Sequence, residues 1–302
     1  MAVKLSRGPL RIASLGALAL AVCLPAAASG AGLGKLHLAY EGNTTTTTVD
    51  PPAQNSVDSY HPCPTSPGTP SPFGGGFEIG GGGFGTLFAN SSGPLDQIPG
   101  TPKLDSWRVV VDDIGSVSGQ RSYTEHAVCG KVRALGYEKK TQATPDDKRT
   151  VIKATCPASK HVLGGGALSE STFPGAQRLV ATAPFDSGDK GSTPDDGWKI
   201  AIDTMTQAGQ HATAYASCGK AGGLHYLSRG FKAAFPSNDG LRQCPNGEWI
   251  VGGGIAQAGP FGKQALVVNS FDSTQTAWSA SIQKVNISGK TFPFTVTAIC
   301  HK

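Results

Sequence analysis

The stretch from Cys244 to Cys300 decides the fold, because the same order of residues occurs three times in the chain. It opens with Cys-Pro at 244–245, continues through Ile-Val-Gly-Gly-Gly at 250–254, reaches Trp278 and closes with Thr-Ala-Ile-Cys at 297–300. The two earlier copies contain a Cys-Pro (156–157, 63–64), a segment ending in three glycines (162–166, 78–82), a tryptophan (Trp198, Trp107) and an Ala-x-Cys close (216–218, 127–129). Repetition on this scale predicts an array of similar structural units.

Each unit begins upstream of its Cys-Pro, at a strand-like Leu-x-Tyr segment (38–40, 135–137, 224–226). The predicted units are therefore 36–129, 133–218 and 222–302, and a flexible leader at 29–35 precedes them. At roughly 80 to 95 residues, each unit is large enough for a small domain that is marginally stable without a disulfide.

The hydrophobic pattern within the units is that of β-strands. Residues 198–203, Trp-Lys-Ile-Ala-Ile-Asp, alternate apolar and polar side chains, and the closing stretches 212–218 and 294–300 also alternate. The pattern predicts an all-β protein of three tandem antiparallel β-sandwich-like modules, each with one disulfide. The alternative is one pseudo-threefold domain resembling a β-prism. The first unit is expected to be the least regular, with a Pro/Gly-rich loop at 62–88.

The first residues have the features of a secretory signal peptide, predicted here as 1–28. Three cations (Lys4, Arg7, Arg11) precede an apolar segment at 12–24, and small residues follow it. That segment is shorter than the roughly 20 residues needed to span a membrane. We therefore expect cleavage near Ala28 or Ala31 and a secreted mature chain with no membrane span.

Charge and composition narrow the class of partner. The formal net charge is +5, and removing the signal peptide takes away three cations and no acids. The nearly neutral mature chain gives no electrostatic case for binding nucleic acid. Few charged residues (16%) together with 41 Gly and 21 Pro are typical of extracellular β-modules.

The cysteines predict disulfides. Seven are present, Cys23 leaves with the signal peptide, and six remain. The preferred interpretation is one bridge per unit, and the rival joins neighbouring units by Cys129–Cys156 and Cys218–Cys244 and closes Cys63 to Cys300. A zinc site is disfavoured because no C-x-x-C pair occurs. The preferred pairs are Cys63–Cys129, Cys156–Cys218 and Cys244–Cys300.

The repeated glycines and tryptophans each allow a functional and a structural interpretation. A glycine triple allows a ligand to approach bare backbone, or it lies where another chain segment leaves no room for a Cβ. A tryptophan is a sugar-stacking platform or a core residue beside a disulfide. The structural interpretation is preferred for both sets, and Trp249, present in one unit only, is the candidate ligand contact. The predicted scaffold residues are Gly80, Gly81, Gly82, Gly164, Gly165, Gly166, Gly252, Gly253, Gly254, Trp107, Trp198 and Trp278.

Catalytic motifs are lacking in the sequence. The seven His do not recur at equivalent positions, and no H-E-x-x-H or G-x-S-x-G motif occurs. Of the acidic pairs at 112–113, 146–147 and 195–196, the last two follow Thr-Pro and are predicted to lie in turns. The sequons begin at Asn43, Asn90 and Asn286. We predict no catalytic residue, cofactor or metal.

The Cys-Pro, the Gly-Gly-Gly after Val/Ile and Leu/Val, the Trp and the closing Ala-x-Cys resemble a repeat of secreted, largely uncharacterised actinobacterial proteins. The match is good in the second and third units and poor in the first. A fainter similarity is to the β-prism of vitelline membrane outer layer proteins, which are also threefold and have Cys-Pro starts. Neither resemblance implies an activity.

These observations favour an exported, non-catalytic structural or binding protein of the cell envelope or extracellular space. Three copies of one module suggest multivalent binding of a repetitive partner such as a wall polysaccharide. One alternative is an enzyme that acts on such a polymer. Another is a secreted protein-binding or protease-inhibitor module.

Overall fold

The structure is a computed structural model that describes most of the chain from residue 37 onward. It covers residues 37–49, 55–64, 71–80, 87–95, 105–114, 119–171, 173–188, 192–206, 210–233, 237–257, 261, 265–272, 274–284 and 292–302. Over these residues the chain forms eighteen β-strands and no helix, which confirms the all-β prediction. The predicted signal peptide, the leader and residues 65–70 and 81–86 of the expected loop lie outside the described residues. The prediction of a loop throughout 62–88 is wrong, because Ser71–Ile79 within it form a strand that pairs with residues 123–130.

The strands fall into three consecutive sets of six, which we call modules 1, 2 and 3. Within each module the first, sixth and third strands form one antiparallel layer, and the second, fifth and fourth strands form the other. Module 1 contains β1 (His37–Val49), β2 (Asn55–Pro62), β3 (Ser71–Ile79), β4 (Leu87–Leu95), β5 (Ser106–Asp113) and β6 (Gly119–Lys131). Module 2 contains β7 (Arg133–Ala143), β8 (Lys148–Thr155), β9 (His161–Ser169), β10 (Gln177–Phe185), β11 (Gly197–Thr204) and β12 (His211–Lys220). Module 3 contains β13 (Leu224–Ala233), β14 (Ser237–Gln243), β15 (Trp249–Gln257), β16 (Ala265–Asp272), β17 (Ala277–Lys284) and β18 (Phe292–His301).

One disulfide joins the two layers of each module. The three bridges have Cα–Cα distances of 5.7, 5.6 and 5.7 Å, and each connects the end of a second strand to the sixth strand. By the chain-entropy account, closing loops of this length contributes roughly 4 kcal/mol each. The preferred pairing is confirmed and the rival pairing is excluded: the bridges are Cys63–Cys129, Cys156–Cys218 and Cys244–Cys300.

The three modules share their sheets in cyclic order. Each six-stranded sheet combines a three-stranded layer of one module with a layer of another: β1-β6-β3-β16-β17-β14, β2-β5-β4-β9-β12-β7 and β13-β18-β15-β10-β11-β8. The junctions are short, since β4 pairs with β9 only at Ser92–Ala167 and β10 pairs with β15 only at Thr182–Ile255. The sandwich-like modules therefore exist as predicted, and they join as the pseudo-threefold alternative expects. Residues 31–302 form one compact unit.

Two of the predicted Leu-x-Tyr segments hold neighbouring modules together. The Tyr137 hydroxyl of module 2 donates to the Pro72 carbonyl of module 1 at 2.7 Å, and the Tyr226 hydroxyl of module 3 donates to the Val162 carbonyl of module 2 at 2.6 Å. Burial raises the pKa of both phenols, which keeps them protonated as donors.

Candidate functional site

The middle glycine of each triple lies against the tryptophan of its own module. A Cβ on Gly165 or Gly253 would overlap the indole of Trp198 or Trp278, and one on Gly75 would overlap Trp107. The bare backbone thus makes room for the largest side chain of the core. This contact supports the structural interpretation of the triples.

The first glycine of each triple contacts the next module at the centre of the molecule. A Cβ on Gly74 would lie 3.3 Å from the Cα of Gly252, one on Gly252 would lie 3.3 Å from the Cα of Gly164, and one on Gly164 would lie 3.0 Å from the Cα of Gly74. Each would also collide with the carbonyl oxygen of the residue before the facing glycine: Val251, Leu163 and Phe73 respectively. The three glycines form a closed cycle of backbone contacts, and only glycine fits there.

The structure corrects the prediction for the first unit, where the triple equivalent to Gly164–Gly166 is Gly74–Gly76. Gly75 pairs with Ala127 as Gly165 pairs with Ala216, and both alanines lie two residues before the closing cysteine. Gly80 instead follows β3, beside Ser122, while Gly81 and Gly82 lie outside the described residues. The error arose because this segment contains two glycine runs. The equivalent run also lies further along the chain from Cys63 than the other triples lie from Cys156 and Cys244.

The three repeated tryptophans are core residues, each only 1% exposed. Each indole N–H donates to a hydroxyl of the fourth strand of its module: Trp107 to Ser92 at 3.0 Å, Trp198 to Thr182 at 2.8 Å and Trp278 to Ser270 at 3.1 Å. Their burial removes them as sugar-stacking platforms. Trp249 begins β15 opposite His301 and is only partly exposed, so the candidate ligand contact has a limited accessible face.

Exposed large hydrophobic side chains lie mainly on the outward faces of the second strands. The exposed large hydrophobic side chains among the described residues are Tyr60 at 51%, Val151 at 51%, Phe173 at 57% and Leu241 at 48%, and three of these lie on second strands. Tyr60 and Leu241 occupy the same position, three residues before the Cys-Pro, which Lys153 occupies in module 2. Sequence reasoning missed this position, although aligning the residues before each Cys-Pro would have found it.

In module 1 this outward face combines an aromatic ring with an ion pair. Tyr60 pairs across the strands with Arg108, whose guanidinium binds both oxygens of Asp58 through Nε at 2.8 Å and Nη2 at 2.7 Å. The hydrogen bond that Arg108 donates to Asp58 is the largest cause that raises the pKa of Arg108. An exposed phenol ring therefore lies beside a guanidinium and a carboxylate fixed on two paired strands.

In module 2 the same face carries two lysines without the acid. Lys153 pairs directly with Lys199, and the Lys153 ammonium lies 4.8 Å from the centre of the Phe185 ring. Val151 occupies the place that Asp58 has in module 1, because both lie five residues before the Cys-Pro. Burial and the neighbouring Lys153 lower the pKa of Lys199.

A buried carboxylate joins modules 1 and 2. Asp112 is fully buried and accepts hydrogen bonds from Ser56 Oγ at 2.6 Å, Asn90 Nδ2 at 2.8 Å and the Gly175 amide at 2.8 Å. Burial raises the pKa of Asp112 despite these donors. Asn90 is 2% exposed, so the sequon that begins there is inaccessible in the folded protein.

Two histidines each lie beside a carboxylate, in separate parts of the molecule. His161 Nδ1 lies 2.7 Å from Asp195, and His225 Nδ1 lies 2.9 Å from Glu248. Asp146 and Asp147 lie in the turn between β7 and β8, as predicted. No group of three or more His, Cys, Asp or Glu side chains suited to a metal ion occurs among the described residues.

Comparison with known proteins gives no relative: no family model matches the chain, and no curated protein sequence matches it significantly. In the part of the chain that the structure describes, no helix is long and apolar enough to cross a membrane. Candidate sites therefore follow from the geometry alone. The outward face of module 1 brings together an exposed phenol ring, a guanidinium and a carboxylate.

Proposed function

We propose that the mature chain is an exported, non-catalytic binding protein of the cell envelope or extracellular space, and that it binds a polymeric glycan. The observation that carries the proposal is the outward face of module 1, where Tyr60 is 51% exposed beside the Arg108–Asp58 pair. Export through the signal peptide at 1–28 is part of the proposal. The three disulfides fit an extracellular protein.

The chemistry of this face suits a sugar ring. The C–H face of a pyranose packs on an aromatic ring, and an exposed tyrosine offers that ring together with a hydroxyl. The guanidinium provides donors in a planar fork, and the carboxylate accepts hydrogen bonds from sugar hydroxyls. Paired strands hold all three groups in place, so binding does not have to order them first.

The geometry favours one site rather than three equivalent ones. The positions of Tyr60 and Arg108 are occupied by Lys153 and Lys199 in module 2, and by Leu241 and Ser279 in module 3. Three different faces do not present one sugar ring with the same contacts. We therefore place the proposed glycan site on module 1.

The test is co-sedimentation of the purified, oxidised chain without its signal peptide with insoluble wall and extracellular polysaccharides, followed by titration with a soluble fragment of the polymer retained. The Tyr60→Ala variant should bind about tenfold more weakly, which is the effect of losing one aromatic contact. Leu241→Ala is the matched control, since Leu241 occupies the same position in module 3, and it should bind like the wild type.

Three outcomes overturn the proposal. Failure of the wild type to bind any polymer refutes glycan binding, and equal binding by the wild type and Tyr60→Ala refutes the site. Release of reducing ends from a polymer incubated with the protein replaces the proposal with the enzyme alternative.

A further inference from the structure

The lysine pair of module 2 lacks the acid that its counterpart in module 1 has. In module 1, Arg108 is neutralised by Asp58, which lies diagonally across the two strands. In module 2, Lys199 occupies the position of Arg108 and the exposed Val151 occupies that of Asp58. Asp203, which lies on the same strand, is bound by Arg149 at 2.7 and 2.8 Å and is about 13 Å along the strand from Lys199.

Two like charges directly opposite each other destabilise an antiparallel pair of strands. Lys153 and Lys199 form such a pair, and among the described residues neither has a carboxylate partner. Burial is the largest cause that lowers the pKa of Lys199, and the charge of Lys153 lowers it further. The Phe185 ring contacts the Lys153 ammonium but carries no negative charge, so a bound anion would relieve the repulsion between the two lysines.

We propose that Lys153 and Lys199, bordered by Phe185 and Val151, form a binding site for an acidic group of a polysaccharide. This inference rests on the proposed function, because it adds an anionic sugar unit to a ligand already bound as a glycan. The acidic group is a carboxylate of a uronic acid or a phosphodiester between sugar units, and both bind an ammonium through charge and hydrogen bonds.

The size of the site favours a polysaccharide over a nucleic acid. Proteins that bind nucleic acid contact many phosphates, and the affinity depends on the number of cations that neutralise them. Here two ammonium groups lie beside an aromatic ring and an exposed valine, and the chain without its predicted signal peptide is nearly neutral. A short acidic repeat unit can place its acidic group on the ammonium groups and the apolar face of its sugar ring on the aromatic and valine side chains.

The experiment measures binding of polygalacturonate, poly(glycerol phosphate), neutral dextran and duplex DNA to the wild type and to variants in low salt. Val151→Asp places a carboxylate where module 1 has Asp58, so it should neutralise Lys199 internally and weaken the binding of the acidic polymer about tenfold. Lys199→Gln should weaken it similarly. Leu241→Asp adds the same charge at an exposed position on the second strand of module 3 and should bind like the wild type.

Preference for polygalacturonate identifies a carboxylate ligand, and preference for poly(glycerol phosphate) identifies a phosphodiester. The inference is overturned if the wild type binds neither polymer, or if Val151→Asp and Lys199→Gln both bind the acidic polymer as tightly as the wild type. Binding of duplex DNA that is equally tight and equally sensitive to Lys199→Gln overturns the polysaccharide assignment. The proposed function is tested separately, by comparing how tightly the wild type and Tyr60→Ala bind the polymer retained in the co-sedimentation experiment.

Discussion

The inward and outward faces of the three modules differ in how closely they repeat. Inside, every module has a disulfide, a buried tryptophan over a glycine, and an indole N–H bonded to a hydroxyl. Outside, the equivalent pairs are Tyr60–Arg108, Lys153–Lys199 and Leu241–Ser279. Packing in the core permits few alternatives, whereas the exposed positions are free to vary. The differences between modules therefore mark the residues available for function.

The strongest test of this contrast replaces one aromatic residue on each face. Trp198→Ala removes a fully buried indole and should lower the free energy of unfolding by about 4 kcal/mol, through lost burial and the cavity left behind. Tyr60→Ala, on the outward face, should change it by less than about 0.5 kcal/mol. Urea denaturation of both oxidised variants provides the comparison, and equal losses would show that the outward face is structural.

The glycine cycle at the centre is expected to be nearly as sensitive. In Gly164→Ala the new methyl group meets the backbone of Phe73 and Gly74, which cannot move without shifting another module, so we expect a loss of about 3 kcal/mol. Gly230→Ala is the control, because a Cβ there has no heavy atom within 4 Å. Thermal denaturation measures both, and a Gly164→Ala variant as stable as the Gly230→Ala control would show that the modules do not meet at these glycines.

Acid should destabilise the fold through His126. Burial lowers the pKa of His126 to about 4, and the Glu78 carboxylate, 4.0 Å away, does not offset it. Below pH 6.5 the unfolded chain binds a proton that the folded chain does not, so stability falls as the pH decreases from 6.5 to about 4. At pH 5 the loss from this group should be about 2 kcal/mol relative to pH 7.5. The free energy of unfolding of the wild type and of His126→Gln, measured between pH 4 and 7.5, gives this loss as the difference between the two curves. Parallel curves would contradict the attribution to His126.

The smallest effect concerns the hydrogen bond that fixes each indole. Thr182→Val retains the shape of the side chain but leaves the Trp198 N–H without its acceptor in the core, which should cost about 1 to 2 kcal/mol. Val151→Thr, on the outward face of the same module, is the matched control and should be neutral. Urea denaturation measures the free energy of unfolding of both variants. A Thr182→Val variant as stable as the wild type would show that the indole N–H has another acceptor.

Much of the fold could be predicted from the sequence because the governing interactions are local or repeated. Alternation of apolar side chains specified strands such as β11, and two cysteines in each unit specified one disulfide per module. The sharing of sheets could not be predicted, since junctions such as Ser92–Ala167 involve a single residue pair with no signal in the sequence. The triple in module 1 was misplaced because Gly74–Gly76 and Gly80–Gly83 lie close together in a segment of unusual length.

The candidate site was harder to predict than the core. Repeated residues such as Trp278 attract attention, and repetition in this protein accompanies burial. Tyr60 and Lys199 matter because they differ from their counterparts, which becomes apparent only after the strands are aligned in register.

The central claim is that a glycan binds to the outward face of module 1, whereas the residues repeated in all three modules stabilise the fold. Its most direct test is chemical-shift mapping of the backbone amides during titration with an oligosaccharide from the polymer retained. We expect the largest shifts along β2 and β5, around Tyr60 and Arg108. Shifts concentrated instead around Trp249 and His301, or along the glycine-rich third strands, would contradict the claim.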